Sequence, residues 1–245
     1  MGTDACRPEG GAPAAGGPPA PRPRAAPAPG FAVALNYADH IEESALETPA
    51  RPAVFTKYPT SLAGPYDAVE LPSATVDWEV ELVAVIAARA HRVRAEDAWR
   101  HIAGLTLGQD LSERRIQLQG PAPQFSLGKS FPGFSPTGPV LVTPDEFDDP
   151  DGLALGCAVE GETMQDSRTG RMVFPLAQQI AWLSTICPLL PGDLVFTGTP
   201  AGVGGARDPR RFLAPGEELH SWADGIGTLR NRLVAGADYP EGPGA

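Results

Sequence analysis

The sequence predicts a mainly-β α+β fold, and three observations carry that prediction. Short apolar runs rich in Val, Ile and Leu recur from Phe31 onward, bounded by Gly, Pro, Asp or Asn. Helical periodicity is confined to a few brief segments. Strands and helices do not follow one another in a βαβ cadence, and no repeat of fixed period is present.

The elements follow in order. Residues 1–30 hold eight Pro, eight Ala and six Gly. With so little to bury, such a segment cannot offset an ordering entropy of about 1–2 kcal/mol per residue, and it reads as a disordered tail. Phe31–Leu35 and Ala53–Tyr58 read as strands, with a helix between them at Asp39–Ser44. Glu79–Ala87 reads as a strand that leaves its charges behind after Glu81, and a short helix at Ala95–Arg100 precedes a strand at Ile102–Gln109. Further strands are expected at Val140–Thr143, Leu153–Glu160 and Leu194–Thr199. Glu160-Gly161 reads as a hairpin turn returning through Glu162–Gln165. The longest helix falls at Phe174–Ile186, where Leu176, Ile180 and Leu183 share a face. One folded domain over 31–236, with a loose end at 237–245, accounts for the chain.

Charge narrows the partners. The 245 residues carry 19 Lys+Arg against 30 Asp+Glu, a formal −11, and that excess repels a phosphate backbone, arguing against nucleic acid. No apolar run approaches the roughly 18 residues of a membrane-spanning helix. Cys6, Cys157 and Cys187 form an odd set without metal-ligand spacing. With no secretory pattern, a reducing, cytoplasmic setting is expected. Only Lys57 and Lys129 are Lys among the 19 basic residues, and Asn is confined to Asn36 and Asn231. A compact ammonium and a planar guanidinium are not interchangeable, so these scarce residues merit following.

Two constellations carry chemistry. On a strand of period two, Glu79 and Glu81 point to one side, where like charges repel unless a cation compensates; otherwise E-x-E is a solvated strand face. Asp110 follows the apolar run Ile102–Leu107. Its oxygens would join the two glutamates in suiting Mg²⁺ or Mn²⁺, or it would cap the turn at Asp110-Leu111-Ser112-Glu113. In the helix opening at Asp39, His40 and Glu43 are i,i+3 neighbours, and a carboxylate partner fixes an imidazole's tautomer and raises its basicity; the alternative is a polar, solvated helix start. His91, His101 and His220 have no comparable partner and read as surface residues. Leu127-Gly128-Lys129-Ser130 lacks the first glycine of a phosphate loop. Thr197-Gly198-Thr199-Pro200 and the glycines after it lack dinucleotide-loop spacing and a following helix. No G-x-S-x-G occurs, which removes the usual serine-hydrolase elbow.

Taken together, Asn36-Tyr37…His40…Glu43, Glu79-x-Glu81, Asp110, Gly128-Lys129-Ser130-Phe131, Gln165, Pro191-Gly192-Asp193, Thr197-Gly198-Thr199-Pro200…Gly202-Val203-Gly204 and Gly225-Ile226-Gly227-Thr228-Leu229…Asn231 resemble the fumarylacetoacetate hydrolase family from about Phe31 to Val234. The resemblance implies a mixed β-sandwich roll and a homodimer. It implies that Glu79, Glu81 and Asp110 hold one Mg²⁺ or Mn²⁺, and that His40 and Glu43 activate water from a lid. It makes Lys129 an active-site lysine and places Lys57 nearby. Arg114, Gln117 and Thr199 would contact substrate, as would Gln165 on a weaker match. Gln109 departs from the Asn that the family commonly has before the metal Asp, putting the geometry behind the ligands in question. The implied activity is hydrolysis of a carbon–carbon bond in an acylpyruvate-type 2,4-diketo acid. The same site also suits isomerisation of a hydroxydienedioate, decarboxylation of oxaloacetate-like 2-oxo acids, an enzyme of a biosynthetic intermediate, or ligand binding without turnover. In every catalytic reading the substrate is a small anionic 2-oxo acid whose enolate the metal and Lys129 stabilise.

Overall fold

The computed structural model describes residues 30–237. The terminal stretches expected to be loose, 1–30 and 237–245, lie outside the described residues, except that Gly30 opens the first strand and residue 237 is the last one described. The strands are β1 (Gly30–Ala34), β2 (Ala53–Lys57), β3 (Leu62–Ala63), β4 (Val69–Leu71), β5 (Val76–Asp77), β6 (Val80–Ile86), β7 (Ile102–Gln109), β8 (Ser112–Glu113), β9 (Ser135–Val142), β10 (Ala154–Val159), β11 (Glu162–Arg168), β12 (Leu194–Phe196), β13 (Glu218–Ala223) and β14 (Gly227–Ala235). The α-helices are α1 (Ala38–Ser44), α2 (Arg114–Gln117), α3 (Phe125–Gly128) and α4 (Leu176–Ile186). The expected mainly-β α+β fold is the one observed, a mixed seven-stranded sheet β2-β1-β12-β6-β7-β9-β3 against a five-stranded sheet β11-β10-β13-β14-β4, with β5 and β8 paired beside them.

The side-chain period of two sorts β6 and β7 into two faces. Val80, Leu82, Ala84 and Ile86 from β6 and Leu105 and Leu107 from β7 enter the main core, where they meet Leu155, Leu219, Leu229 and Leu233 of the second sheet. The opposite face carries Val83 in a small cluster with Ala32 and Phe196, and by the same parity it carries Glu79 and Glu81. Glu81 pairs with Gly108 across the ladder. A Cβ at Gly108 would lie 2.7 Å from Val83 and 2.8 Å from Phe196, so glycine is what lets this second face close. Helix α4 buries Leu176, Ile180 and Leu183, the face its periodicity picks out. The Glu160-Gly161 turn has φ of 49° and 81°, as a primed hairpin turn requires.

Several boundaries differ from expectation, each for a local reason. The strand expected at Leu194–Thr199 stops at Phe196, because Thr197 and Thr199 turn their hydroxyls onto the Leu82 and Val80 carbonyls. The strand expected at Val140–Thr143 begins earlier, at Ser135, and the helix expected at Ala95–Arg100 is a 3₁₀ run, Ala95–His101. The helix after Asp110 starts only at Arg114, capped by Glu113, whose Oε2 accepts the Ile116 N–H at 2.7 Å. His220 is not simply a surface residue: it sits half-buried on β13, with its ring 5.7 Å from Trp222.

Gln109 links the two sheets. It projects from β7 between the sheets, away from the Glu81 face; its Oε1 accepts the Glu79 N–H and its Nε2 donates to Ser221 Oγ, both at 2.9 Å. The extra methylene spans to the second sheet. Ser221→Ala should therefore leave a buried amide donor unsatisfied and lower stability by about 1–3 kcal/mol in urea unfolding, with the denaturant slope unchanged.

Candidate active site and metal centre

Three carboxylates converge where β6 begins and β7 ends. The Asp110 N–H bonds the Glu79 carbonyl at 2.8 Å, which sets the register between the two ends. Glu79, Glu81 and Asp110 are 6%, 1% and 0% exposed, and one oxygen of each lies within 4.8 Å of the others.

Cations surround two of the three. Lys129 Nζ bridges Glu79 Oε2 at 2.7 Å and Asp110 Oδ2 at 2.6 Å. Lys57 Nζ donates to Asp110 Oδ1 at 2.5 Å and to the Lys129 carbonyl at 2.6 Å. Arg114 reaches Glu79 Oε1 at 2.8 Å. Burial alone would raise the Glu79 carboxyl, but the Lys129 and Arg114 charges outweigh it and hold it at about 2. Glu81 behaves oppositely: burial, then the Asp110 and Glu79 charges, push it well above the usual carboxylate range. Among the described residues it has no ion-pair partner, and its Oε2 accepts only the Gly198 N–H, at 2.8 Å. Lys129 is held above, and Lys57 below, the usual lysine range. Burial opposes protonation of both, and the two carboxylates at Lys129 reverse that effect.

The His40–Glu43 pair lines the same cavity as Glu79 and Lys129. β1 leads directly into α1, where His40 Nδ1 lies 2.6 Å from Glu43 Oε1. Glu43 Oε2 accepts the Gly202 N–H at 2.9 Å, so the dyad is tied to the segment after β12. That segment is anchored by Asn36, whose Nδ2 donates to the Phe174 and Thr197 carbonyls at 3.1 and 2.7 Å. The close approach demands glycine at 198, where φ is +99° and a Cβ would lie 2.7 Å from Asn36.

The dyad and Glu79 line one cavity of about 400 Å³, and Arg114, Gln117, Lys129 and Thr199 are among its walls. Gln165 is placed behind this surface. Its Oε1 accepts the Val80 N–H at 2.9 Å and its Nε2 donates to Thr199 Oγ1 and the Pro200 carbonyl at 2.8 Å, so it positions Thr199. Gln117 accepts from Arg114 at 2.9 Å.

One central residue went unassigned in the sequence. Asp77 is fully buried, accepts the Gly204 and Gly205 N–H groups at 2.7 and 2.8 Å, and pairs with Arg114 at 2.6 Å. Its signal was its parity with Glu79 and Glu81 in D-x-E-x-E.

Residues 30–234 match the fumarylacetoacetate (FAA) hydrolase C-terminal family. The chain belongs to the fumarylacetoacetate hydrolase family. This family member is 44% identical over 204 residues to oxaloacetate tautomerase FAHD2A, mitochondrial, of Bos taurus, an alignment covering 82% of this chain and 65% of that protein. The chain thus spans just under two thirds of that relative's length. Among solved structures, a Mycobacterium smegmatis protein described as HpcE superposes with TM-score 0.84 at 53% identity, covering 86% of this chain and 75% of the other. Fumarylpyruvate hydrolase from Pseudomonas aeruginosa, in complex with Mn²⁺ and pyruvate, gives TM-score 0.76 at 29% identity, covering 85% and 90%.

The donor set fits a divalent ion. All three ligand candidates are hard carboxylate oxygens, as Mg²⁺ and Mn²⁺ favour, and the buried Glu81 carboxyl lacks the counterion that would favour its charged form. Replacing that carboxyl should separate its two effects. Metal-free Glu81→Gln should melt above metal-free wild type, because a buried carboxyl that ionises only at a cost is gone. Adding Mg²⁺ or Mn²⁺ should raise the wild-type Tm and leave that of the variant nearly unmoved; equal increments in thermal melts would remove Glu81 from the ion's ligands.

Proposed function

We propose that this protein is a divalent-metal-dependent enzyme that interconverts the enol and keto forms of an anionic 2-oxo acid, with oxaloacetate as its substrate. The observation that carries the reading is one cavity lined by both the His40–Glu43 dyad and Glu79 with Lys129, Glu79 being grouped with Glu81 and Asp110. Tautomerisation requires one base that can take and return a proton and one electropositive locus for the enolate oxygen. The oxaloacetate tautomerase relative, at 44% identity, supports the same choice of substrate.

Glu79, Glu81 and Asp110 would hold the metal, which when bound supplies positive charge for the substrate's carboxylate and enolate oxygens. The chain's own groups do the rest. Glu43, an acceptor 2.6 Å from Nδ1, keeps that nitrogen protonated and leaves Nε2 as the basic one. His40 takes the enol O–H proton, and the electron pair stays on oxygen as the enolate. The imidazolium then protonates C3, giving the ketone and restoring the neutral histidine. Lys129 holds its ammonium near the carboxylates and favours the enolate electrostatically.

A second reading, cleavage of an acylpyruvate by water that His40 deprotonates, is favoured by the same dyad and by the likeness to fumarylpyruvate hydrolase. Isomerisation of a dienedioate is the same proton transfer carried over a longer conjugated chain. Decarboxylation of oxaloacetate needs no base and leaves the dyad without a task.

Assays of the metal-loaded enzyme on enol-oxaloacetate and acetylpyruvate separate these readings. Ketonisation should be accelerated, and His40→Ala should lower its kcat by about 10²–10⁴-fold while leaving metal affinity in place. Cleavage of acetylpyruvate without ketonisation of oxaloacetate would replace tautomerisation by hydrolysis. Lys129→Met should also reduce kcat, and since it leaves Glu79 and Asp110 without their shared counterion, it should tighten the requirement for metal.

A further inference from the structure

Three arginines lie between Val203 and β13, and their fates differ. Arg207 donates to the Met164 carbonyl at 3.0 Å and stacks 5.7 Å over the Trp78 ring. Arg211 pairs with Glu217 and with the Phe212 carbonyl. Arg210 stands between them, exposed, and lines the cavity. Among the described residues it makes no ion pair and no hydrogen bond.

The loop that carries Arg210 is pinned at both feet. The Arg211 N–H bonds the Gly204 carbonyl at 3.1 Å, and a Cβ at Gly204 would lie 1.8 Å from the Arg211 carbonyl oxygen. Asp77 of β5 holds the Gly204 and Gly205 N–H groups, and the Val76 carbonyl accepts the Leu213 N–H at 2.9 Å. Both ends therefore rest on the strand that leads into Glu79. The turn between them displays Arg210 from a fixed base.

The other cations of the cavity are already committed. Arg114 serves Asp77 and Glu79, and Lys129 serves Glu79 and Asp110. Arg210 is the one lining guanidinium, among the described residues, whose charge is not matched. Leu46, Leu118 and Phe212 give the same cavity apolar lining and Arg210 gives it an uncommitted charge, so an acid whose 2-oxo end faces Glu79 and Lys129 can offer its far end to that guanidinium. Guanidinium and carboxylate match in geometry as well as sign.

We infer that Arg210 is a specificity-determining residue that binds the distal carboxylate of a dicarboxylic substrate, so that 2-oxo diacids are selected over 2-oxo monoacids. The inference rests on the reading of this cavity as a 2-oxo acid site, without depending on which reaction follows binding.

Calorimetric titration of the Mn²⁺-loaded full chain with 2-oxoglutarate and with 2-oxopentanoate tests it, since the two differ in the distal carboxylate. The wild type should bind the diacid about tenfold more tightly, and added salt should narrow the gap, because the charge lies at the rim. Arg210→Ala should abolish the preference by weakening the diacid alone, Arg210→Glu should reverse it, and Arg210→Lys should restore part of it. Equal affinities in the wild type, or a preference that survives Arg210→Ala, would overturn the assignment. A preference that tracks Arg210 in an enzyme that does not ketonise oxaloacetate would uphold the assignment and sink the tautomerase reading. Failure of the wild type to bind either acid would overturn the assignment and leave the tautomerase reading to the oxaloacetate assay.

Discussion

Compensation of buried charge is the constraint on which this site depends. Asp77, Glu79, Glu81 and Asp110 are all buried, and Lys57, Arg114 and Lys129 are the cations set among them. A buried carboxylate without a partner costs roughly several kcal/mol, so each anion has to be met. Glu79 and Asp110 are met twice over, and Asp77 by Arg114 and three backbone N–H groups. Glu81 is not met. A site that leaves one of four carboxylates short of a counterion has room in its charge balance for a further cation. The residues that govern the stability of this region are therefore those of the candidate site.

The sheet makes that compensation possible by parity. Alternation along β6 sends its aliphatic side chains into the core and Glu81 to the other face, while Gly108 opposite clears the space. Gln109, one position further, points back between the sheets and ties the Glu79 backbone to Ser221. The dyad reaches the same cavity from a different direction, because β1 and β12 run parallel and deliver α1 and the Thr197–Gly205 segment to one side. Asn36 and Gln165 lock that segment to its neighbours, which makes them supports of the site more than members of it.

Much of this was legible in the sequence, and the parts that were not have physical causes. Glu79 and Glu81 declared their shared face through period two, and His40 and Glu43 their contact through i,i+3 spacing; the structure holds both pairs as expected. The join between Glu79, Glu81 and Asp110 came from resemblance, because strand register is a long-range property that local spacing does not encode. The hairpin β13–β14 went unread for a related reason. Along β14 the inward positions are Leu229, Asn231 and Leu233, and a buried Asn in the middle of the stripe disguises its alternation. Asp77 and Gln165 spend their polar atoms on groups distant in sequence, so only the folded chain reveals what they hold.

The pinned turn after Val203 carries a consequence for divergence. Its feet lean on Asp77 and Val76, whereas its crest touches neither the carboxylate group nor the dyad's hydrogen bonds. Substitutions at the crest can change what the cavity wall presents without disturbing the charge balance that keeps the sheet folded. The buried charges and the cavity wall are thereby placed under separate mutational control, and the wall can vary one loop residue at a time.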